Sequence, residues 1–299
     1  MQSRIDKLRQ PSNAIFLQVT AIYALIAVCV WSVSSLWAGV NPAFLLASII
    51  AWATIGWCQF ALFNALHEGL HRRFGAPHRD WVGYALTAYP VGFDESYRQV
   101  HLDHHKFFGD ARRDPDFPNY GRFPVSKGEF LLQMGLNLCG WNALLQFLGI
   151  RQGKSPGLAK DNGRNILTIA LAQLALLGLF AITVGWLYYL WLWLIPLVTF
   201  GKFFSSTRAF CEHASPDNKP TIRTITGSLP GEKIFGVFCF HYHAEHHEYV
   251  GVPYNQLEQA HEMAADTLYY GEKAEAARYE HFDRGYFQLL RQWYGSLPA

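Results

Sequence analysis

The chain has 299 residues, of which 51% are hydrophobic and 16% charged, against about 25% charged in an average soluble protein. A formal net charge of +2 with no basic stripe gives no footprint for nucleic acid. Five cysteines without a Cys-x-x-Cys pair argue against both a disulfide framework and a structural zinc module.

From Gln10 to Leu66 there is no Asp, Glu, Lys, Arg or His. That length suits two membrane spans, expected over about 14–38 and 43–66 with a turn at Gly39-Val40-Asn41-Pro42. The basic residues ahead of it resemble the start of a signal peptide, but the apolar run is too long for a signal core and no cleavage site follows. We therefore read an uncleaved first span.

His67 and His71 follow at the exit of the second span, in His-Glu-Gly-Leu-His. The loop from Arg72 to Lys127 is rich in arginine, whereas the 39–42 turn is uncharged. The positive-inside rule then places both termini and this loop in the cytoplasm. The loop carries His101, His104 and His105 in His-Leu-Asp-His-His.

Residues 130–150 could span, but Gln133, Asn137, Asn142 and Gln146 form a polar stripe. A span there would also put Arg151, Lys154, Lys160 and Arg164 outside, so a helix lying in the interface is expected. A second uncharged stretch, Asn165 to Gly201, predicts spans over about 165–184 and 186–206, with Lys202 snorkelling at the cytoplasmic end. Beyond it come His213, in Arg208-Ala-Phe-Cys-Glu-His, and then His243, His246 and His247 in His-Ala-Glu-His-His. The polar tail is expected to complete a helical cytoplasmic cap over 67–128 and 208–299. The fold class is thus an all-α integral membrane domain spanning the whole chain, with four transmembrane helices in two hairpins.

Residues three and four apart share a helix face, so each cluster is expected to aim its imidazoles at one point. Neutral imidazole suits iron, copper, zinc or nickel. Eight clustered ligands exceed one closed site, so two metals with four or five nitrogens each are expected, and His213, just past the fourth span, makes a ninth ligand. Glu68, Asp103, Glu212 and Glu245 are candidates to accept hydrogen bonds from the ligands. His241 is a candidate for the same outer role. Asp114 and Asp116 either orient the second cluster's loop or cap a turn. His78, His261 and His281 have no partner at ligand spacing and are expected to be solvated.

The set His-x-x-x-His, His-x-x-His-His and His-x-x-His-His, after paired hydrophobic hairpins, resembles the membrane fatty acid desaturase superfamily, over about Ala14 to Leu257. Asp114-Pro-Asp and the run from Tyr242 through His247 into Val252-Pro253-Tyr254-Asn255-Gln256-Leu257 add to the likeness. The resemblance implies a non-haem di-iron centre, with His67, His71, His101, His104, His105, His213, His243, His246 and His247 as ligands. It implies O2 as co-substrate and removal of hydrogen from an unactivated C–H bond of an apolar acyl or lipid substrate. No haem, flavin or iron-sulfur module is recognisable, so electrons would come from a ferredoxin or a b-type cytochrome with its reductase, and the setting would be membrane lipid, in a bacterial inner membrane. Ala209 departs from relatives that carry Asn four residues before the ligand matching His213. A hydroxylase or carotenoid ketolase would use the same ligands. A membrane metal transporter is the rival from another class, but transporters place polar ligands within broken spans near the midplane, whereas these spans are uncharged.

Overall fold

The computed structural model describes residues 2–10, 14–37, 39–74, 77–148, 163–270 and 278–299. Four of its helices are long and apolar enough to cross a membrane. The first, α1 (Ala14–Ser35), buries Ile15, Val19, Ile22, Ile26 and Val33, a stripe at spacings of three, four and seven. Its other faces expose Leu17, Val28 and Trp31, as a lipid-facing helix would.

The second, α2 (Pro42–Leu70), starts at Asn41, whose side chain accepts a bond from the Phe44 N–H at 3.0 Å, with Pro42 in the first helical turn. It runs past the expected end at 66, so His67 lies in its last turn and His71 follows as its cap. No Gly or Pro interrupts the Asn64-Ala-Leu-His-Glu stretch, and the helix simply continues. Then come α3 (Pro77–Thr87) and α4 (Tyr97–Phe107), the latter carrying the second histidine cluster.

The expected 130–150 helix is two helices, α5 (Lys127–Leu138) and α6 (Trp141–Phe147), broken at Gly140, which holds φ +79°. Its polar stripe turns toward protein: Asn142 Nδ2 donates to Asn137 Oδ1 at 2.8 Å, and Lys202 Nζ donates to Gln146 Oε1 at 3.0 Å. Arg151, Lys154 and Lys160 lie outside the described residues.

The third candidate span is α7 (Gly163–Thr183) and the fourth is α8, continuous from Trp186 to His213. Segments Leu190–Leu194 and Leu197–Gly201 of α8 are π-helical, flanking Pro196. In that register the Trp191 carbonyl faces the proline nitrogen, which has no hydrogen to give. Trp52 Nε1 of α2 donates to that carbonyl at 2.7 Å, and Gln59 Nε2 donates to the Trp193 carbonyl at 2.9 Å. The two helices also approach closely: a Cβ placed on Gly56 would lie 2.4 Å from Phe200 Cβ. The irregular backbone thus fixes α8 on α2, the two helices whose last turns carry His213 and His67. Because α8 runs seven residues beyond 206, His213 ends the fourth span instead of standing in a loop after it.

After α8 the chain forms β1 (Ile222–Ile225), α9 (His243–Glu248), α10 (Leu257–Tyr270), β2 (Tyr279–Phe282) and α11 (Gly285–Ser296). The helical expectation holds for most of the chain, and to it the structure adds a short sheet: β1 and β2 pair in parallel, from Ile222 against Tyr279 to Ile225 against Phe282. Arg223 of β1 is buried and donates to the carbonyls of Cys211 and Ala214, the latter at 3.2 Å. These are among the carbonyls a helix C-terminus leaves unpaired. The sheet therefore caps α8 at His213.

Candidate metal centre

Four elements bring the nine clustered histidines together: the end of α2, α4, the end of α8, and α9. Six are buried (His67, His101, His104, His213, His243 and His246), and His71, His105 and His247 are half-buried.

In one group, His71 Nε2 lies 2.9 Å from His101 Nε2, which lies 2.9 Å from His105 Nε2, which lies 3.0 Å from His246 Nε2. His67 belongs to the same group, its ligating atom within 4.8 Å of those of His71, His101 and His246. In the other, the ligating atoms of His104, His213 and His247 lie within 4.8 Å of one another, and His243 Nε2 is 2.9 Å from His213 Nε2. The groups adjoin, with the rings of His105 and His247 4.1 Å apart.

This corrects the expectation that each cluster aims at one point. Neighbouring residues of an α-helix diverge by about 100°. Each His-x-x-His-His segment therefore sends its i, i+4 pair to one group and its i+3 member to the other: His101 and His105 against His104, and His243 and His247 against His246. The α2 pair completes the first group at five and His213 completes the second at four.

Hydrogen bonds alone cannot hold this arrangement. An imidazole nitrogen carries either one hydrogen or one in-plane lone pair, so it can serve one such contact. His101 Nε2 and His105 Nε2 each face two others at 2.9–3.0 Å. Nδ1 of His67 and Nε2 of His247 are buried with no hydrogen-bond partner among the described residues. A cation accepting several lone pairs satisfies all of them. Ligands at right angles with metal–nitrogen bonds of about 2.1 Å sit about 3.0 Å apart, which matches the observed spacing.

Burial and the neighbouring imidazoles hold His101, His105, His243, His246 and His247 well below the ordinary imidazole range, and burial with Arg73 and Arg98 pushes His71 down to about 3. Neutral imidazole is the ligating form. His104 goes the other way: burial disfavours its charge, but the bond to Asp114 and the charges of Asp116, Asp114 and Glu212 outweigh that and raise it.

A pH dependence follows. Unfolded imidazoles near 6.5 take up protons that these six refuse, so their contribution to stability is whole above 6.5 and is lost as pH falls toward the folded values. His104 opposes this, contributing below 6.5 and losing it as pH rises through its raised value. Asp116, raised by its desolvation, opposes it too, and the six imidazoles outnumber these two. Metal-free protein should therefore melt at lower temperature at about pH 5.5 than at about pH 7.5, and a higher melting point at the acid end would contradict the burial argument.

Outer partners fix some rings. His104 Nδ1 meets Asp114 Oδ1 at 2.9 Å, and Asp114 is itself held by the Gly109 N–H at 3.0 Å and by the Tyr120 hydroxyl. Asp114 also accepts from the Asp116 N–H at 2.9 Å, so it both orients the ring and caps the turn. His213 Nδ1 reaches the Thr221 carbonyl at 3.3 Å, and His243 Nδ1 lies 3.5 Å from Glu212 Oε2. Asp114→Asn is expected to weaken metal binding by about 10- to 100-fold, read by competition with a chelator; unchanged affinity would show that the ring is held without the carboxylate.

The other acidic candidates have different partners. Glu68 accepts from the Tyr254 N–H at 3.2 Å, and Asp103 accepts from Gln99 at 3.0 Å. Glu245 turns away from the histidines on either side of it, to His261 Nδ1 at 2.7 Å, the Tyr269 hydroxyl at 2.5 Å and Thr224 Oγ1 at 2.5 Å. His241 reaches the Gly236 carbonyl at 3.3 Å and packs on Tyr242, consistent with its opposite position on the chain from His243. His78 is exposed, but His261 and His281 are not free in solvent: His261 pairs with Glu245, and His281 bonds Thr226 at 2.8 Å. Their partners, Glu245 of α9 and Thr226 just past β1, are distant in sequence, so spacing could not reveal them.

A cavity of about 560 Å³ reaches His67, His101, His104, His213 and His243, with Phe60, Phe63, Val91, Phe93 and Tyr97 among its walls. That volume lies in the range of small-molecule sites.

A search of curated proteins returned no match to the chain. A family model described as fatty acid desaturase matches residues 42–279, a stretch that contains all nine histidines. The chain belongs to that family.

Proposed function

We propose that this member of the fatty acid desaturase family is an O2-dependent di-iron oxidoreductase that inserts a C=C bond into an acyl chain or similar lipid. The observation that carries the reading is the split of nine histidines into adjoining groups of five and four at the end of a largely apolar cavity. Iron bound by these two groups would supply O2 activation and removal of hydrogen from an unactivated C–H bond. The nitrogen-rich donor set fits, as soluble di-iron bundles use Glu and Glu-x-x-His instead.

The chain's own part is geometric. Asp114 and the Thr221 carbonyl take the outer nitrogens of His104 and His213, which fixes those tautomers and turns the inner nitrogens toward the metals. Phe60, Phe63 and Phe93 line the approach and exclude water from it. No side-chain nucleophile or general base is required. Electrons come from an external donor, a ferredoxin or b-type cytochrome with its reductase, at the face carrying the histidines. Both termini and this face are cytoplasmic on the charge bias of the 72–127 loop.

The test is expression with a reductase system followed by mass spectrometry of cellular lipids. Products lighter by two hydrogens support desaturation. Oxygen gain would move the reading to hydroxylation on the same ligands. Zinc as the bound metal, with no lipid change under adequate electron supply, would overturn it.

A further inference from the structure

Two residues that line the large cavity own a buried side-chain atom with no hydrogen-bond partner among the described residues, His67 at Nδ1 and Gln59 at Oε1. A metal at the histidines accounts for the first. Gln59 belongs to the membrane-crossing part of α2, is 1% exposed, and shares its stretch of wall with Phe60, Phe63 and Leu197. Eight residues, about 12 Å of helix, separate it from His67.

The orientation of this amide is set by its partner on α8. Nε2 donates to the Trp193 carbonyl at 2.9 Å, and a carbonyl can only accept, so Oε1 is the atom left for whatever fills the cavity. Holding α8 in place needs only the N–H half of the amide. Trp52 serves the Trp191 carbonyl in the same way with an indole, a donor that leaves no acceptor unpaired. A polar group kept inside a membrane span beyond what packing requires is costly and marks a function.

We propose that Gln59 Oε1 accepts a hydrogen bond from a donor carried partway along the substrate, a hydroxyl or an amide N–H, at about 12 Å of helix from His67. A plain hydrocarbon chain in this cavity would displace water from Oε1 and return no hydrogen bond, whereas a chain with a donor at that level satisfies the oxygen. Buried polar groups left unpaired are what lets a site reject an analogue that lacks one group. This deepens the acyl-oxidation reading and rests on it: the substrate class narrows from apolar chains in general to chains that bear a donor within their length.

The experiment measures retention of a radiolabelled saturated long-chain fatty acid, of the positional series of its monohydroxy derivatives and of the matching oxo acids. The full-length protein is used in phosphatidylcholine nanodiscs, with retention by protein-free discs subtracted. Wild type should hold one hydroxy isomer, or a few adjacent ones, about tenfold more tightly than the plain acid. The oxo acids at those positions accept but cannot donate, and should gain nothing. Gln59→Leu should level the series while retaining the plain acid at least as well as wild type, which a loss of fold would not give. Gln59→Glu, whose protonated carboxyl keeps a donor for Trp193 and an acceptor for the cavity, should keep most of the preference. A flat series in wild type, oxo acids held as well as the alcohols, or an undiminished preference in Gln59→Leu overturns the proposal. A chain with an internal amide at the same position, held more tightly than the alcohol, supports it and assigns the donor to an N–H. Product analysis on the same preparations separates the two claims. A Gln59-dependent preference without lipid oxidation upholds the donor subsite and removes the oxidation reading, and oxidation of plain and hydroxylated chains alike does the reverse.

Discussion

His246→Ala is expected to lower activity by more than about a hundredfold, beyond what loss of an outer hydrogen-bond partner costs a metal site. His246 is buried, its Nε2 lies 3.0 Å from that of His105, and its ring is 4.4 Å from His67 and 4.9 Å from His71. It is the only member of the first group that comes from α9, so its loss opens that group and frees the helix from α2 and α4. The second group keeps all four of its nitrogens. Metal content should fall from about two per chain toward one, and a variant that retained full metal and full activity would remove His246 from the ligand set. Since the change also leaves a cavity, His105→Ala belongs beside it, because its side chain is half-buried and it should give the same loss of metal with less loss of stability.

Arg208→Ala is expected to destabilise the protein by about 3–5 kcal/mol. The guanidinium is buried, bonded to Glu212 Oε1 at 2.8 Å and to Asn64 Oδ1 at 2.5 Å, and it lies over the Phe240 ring at 5.2 Å. It thereby ties α8 to α2 just below His213 and His67. Removing it leaves Glu212, which is 2% exposed, as a buried charge that has lost its ion pair and keeps the Tyr286 hydroxyl at 2.9 Å and His243 at 3.5 Å. Replacing both partners by apolar residues, as in Arg208→Met with Glu212→Leu, removes that charge. Most of the stability should then return, while metal affinity stays low because His243 has lost its outer carboxylate. A thermal melt with a metal titration reads both. A single variant as stable as wild type would show the pair to be neutralised in some other way.

The parts of this account that sequence could supply are those carried by local periodicity. Long uncharged runs located the four membrane-length helices, and i, i+3 and i, i+4 spacing picked out the nine histidines, His213 through its place after the fourth apolar run. Spacing could not divide them. The partition of His104 from His105, and of His246 from His247, depends on the 100° between neighbours and on where α2, α4, α8 and α9 stand relative to one another. The direction of the α5–α6 stripe was equally hidden, since a polar face reads the same whether it meets headgroup water or Lys202. Asp114 reads from sequence as orienter or turn cap, and its contacts with His104 and with the Gly109 and Asp116 N–H groups show it to be both. The β1–β2 pair joins residues 57 positions apart, Ile222 and Tyr279, through segments too short to signal a strand. The same long-range folding gives Glu245 and His261 to each other, where isolated reading left one near the metals and the other in solvent.

The central claim is that the histidines make two adjoining sites. Its most direct test is iron content after anaerobic reconstitution of the full-length protein, measured by mass spectrometry against protein concentration. Two irons per chain in wild type, falling to about one in His246→Ala, is the predicted result. A wild-type chain that saturates at one iron, or binds none, would contradict it.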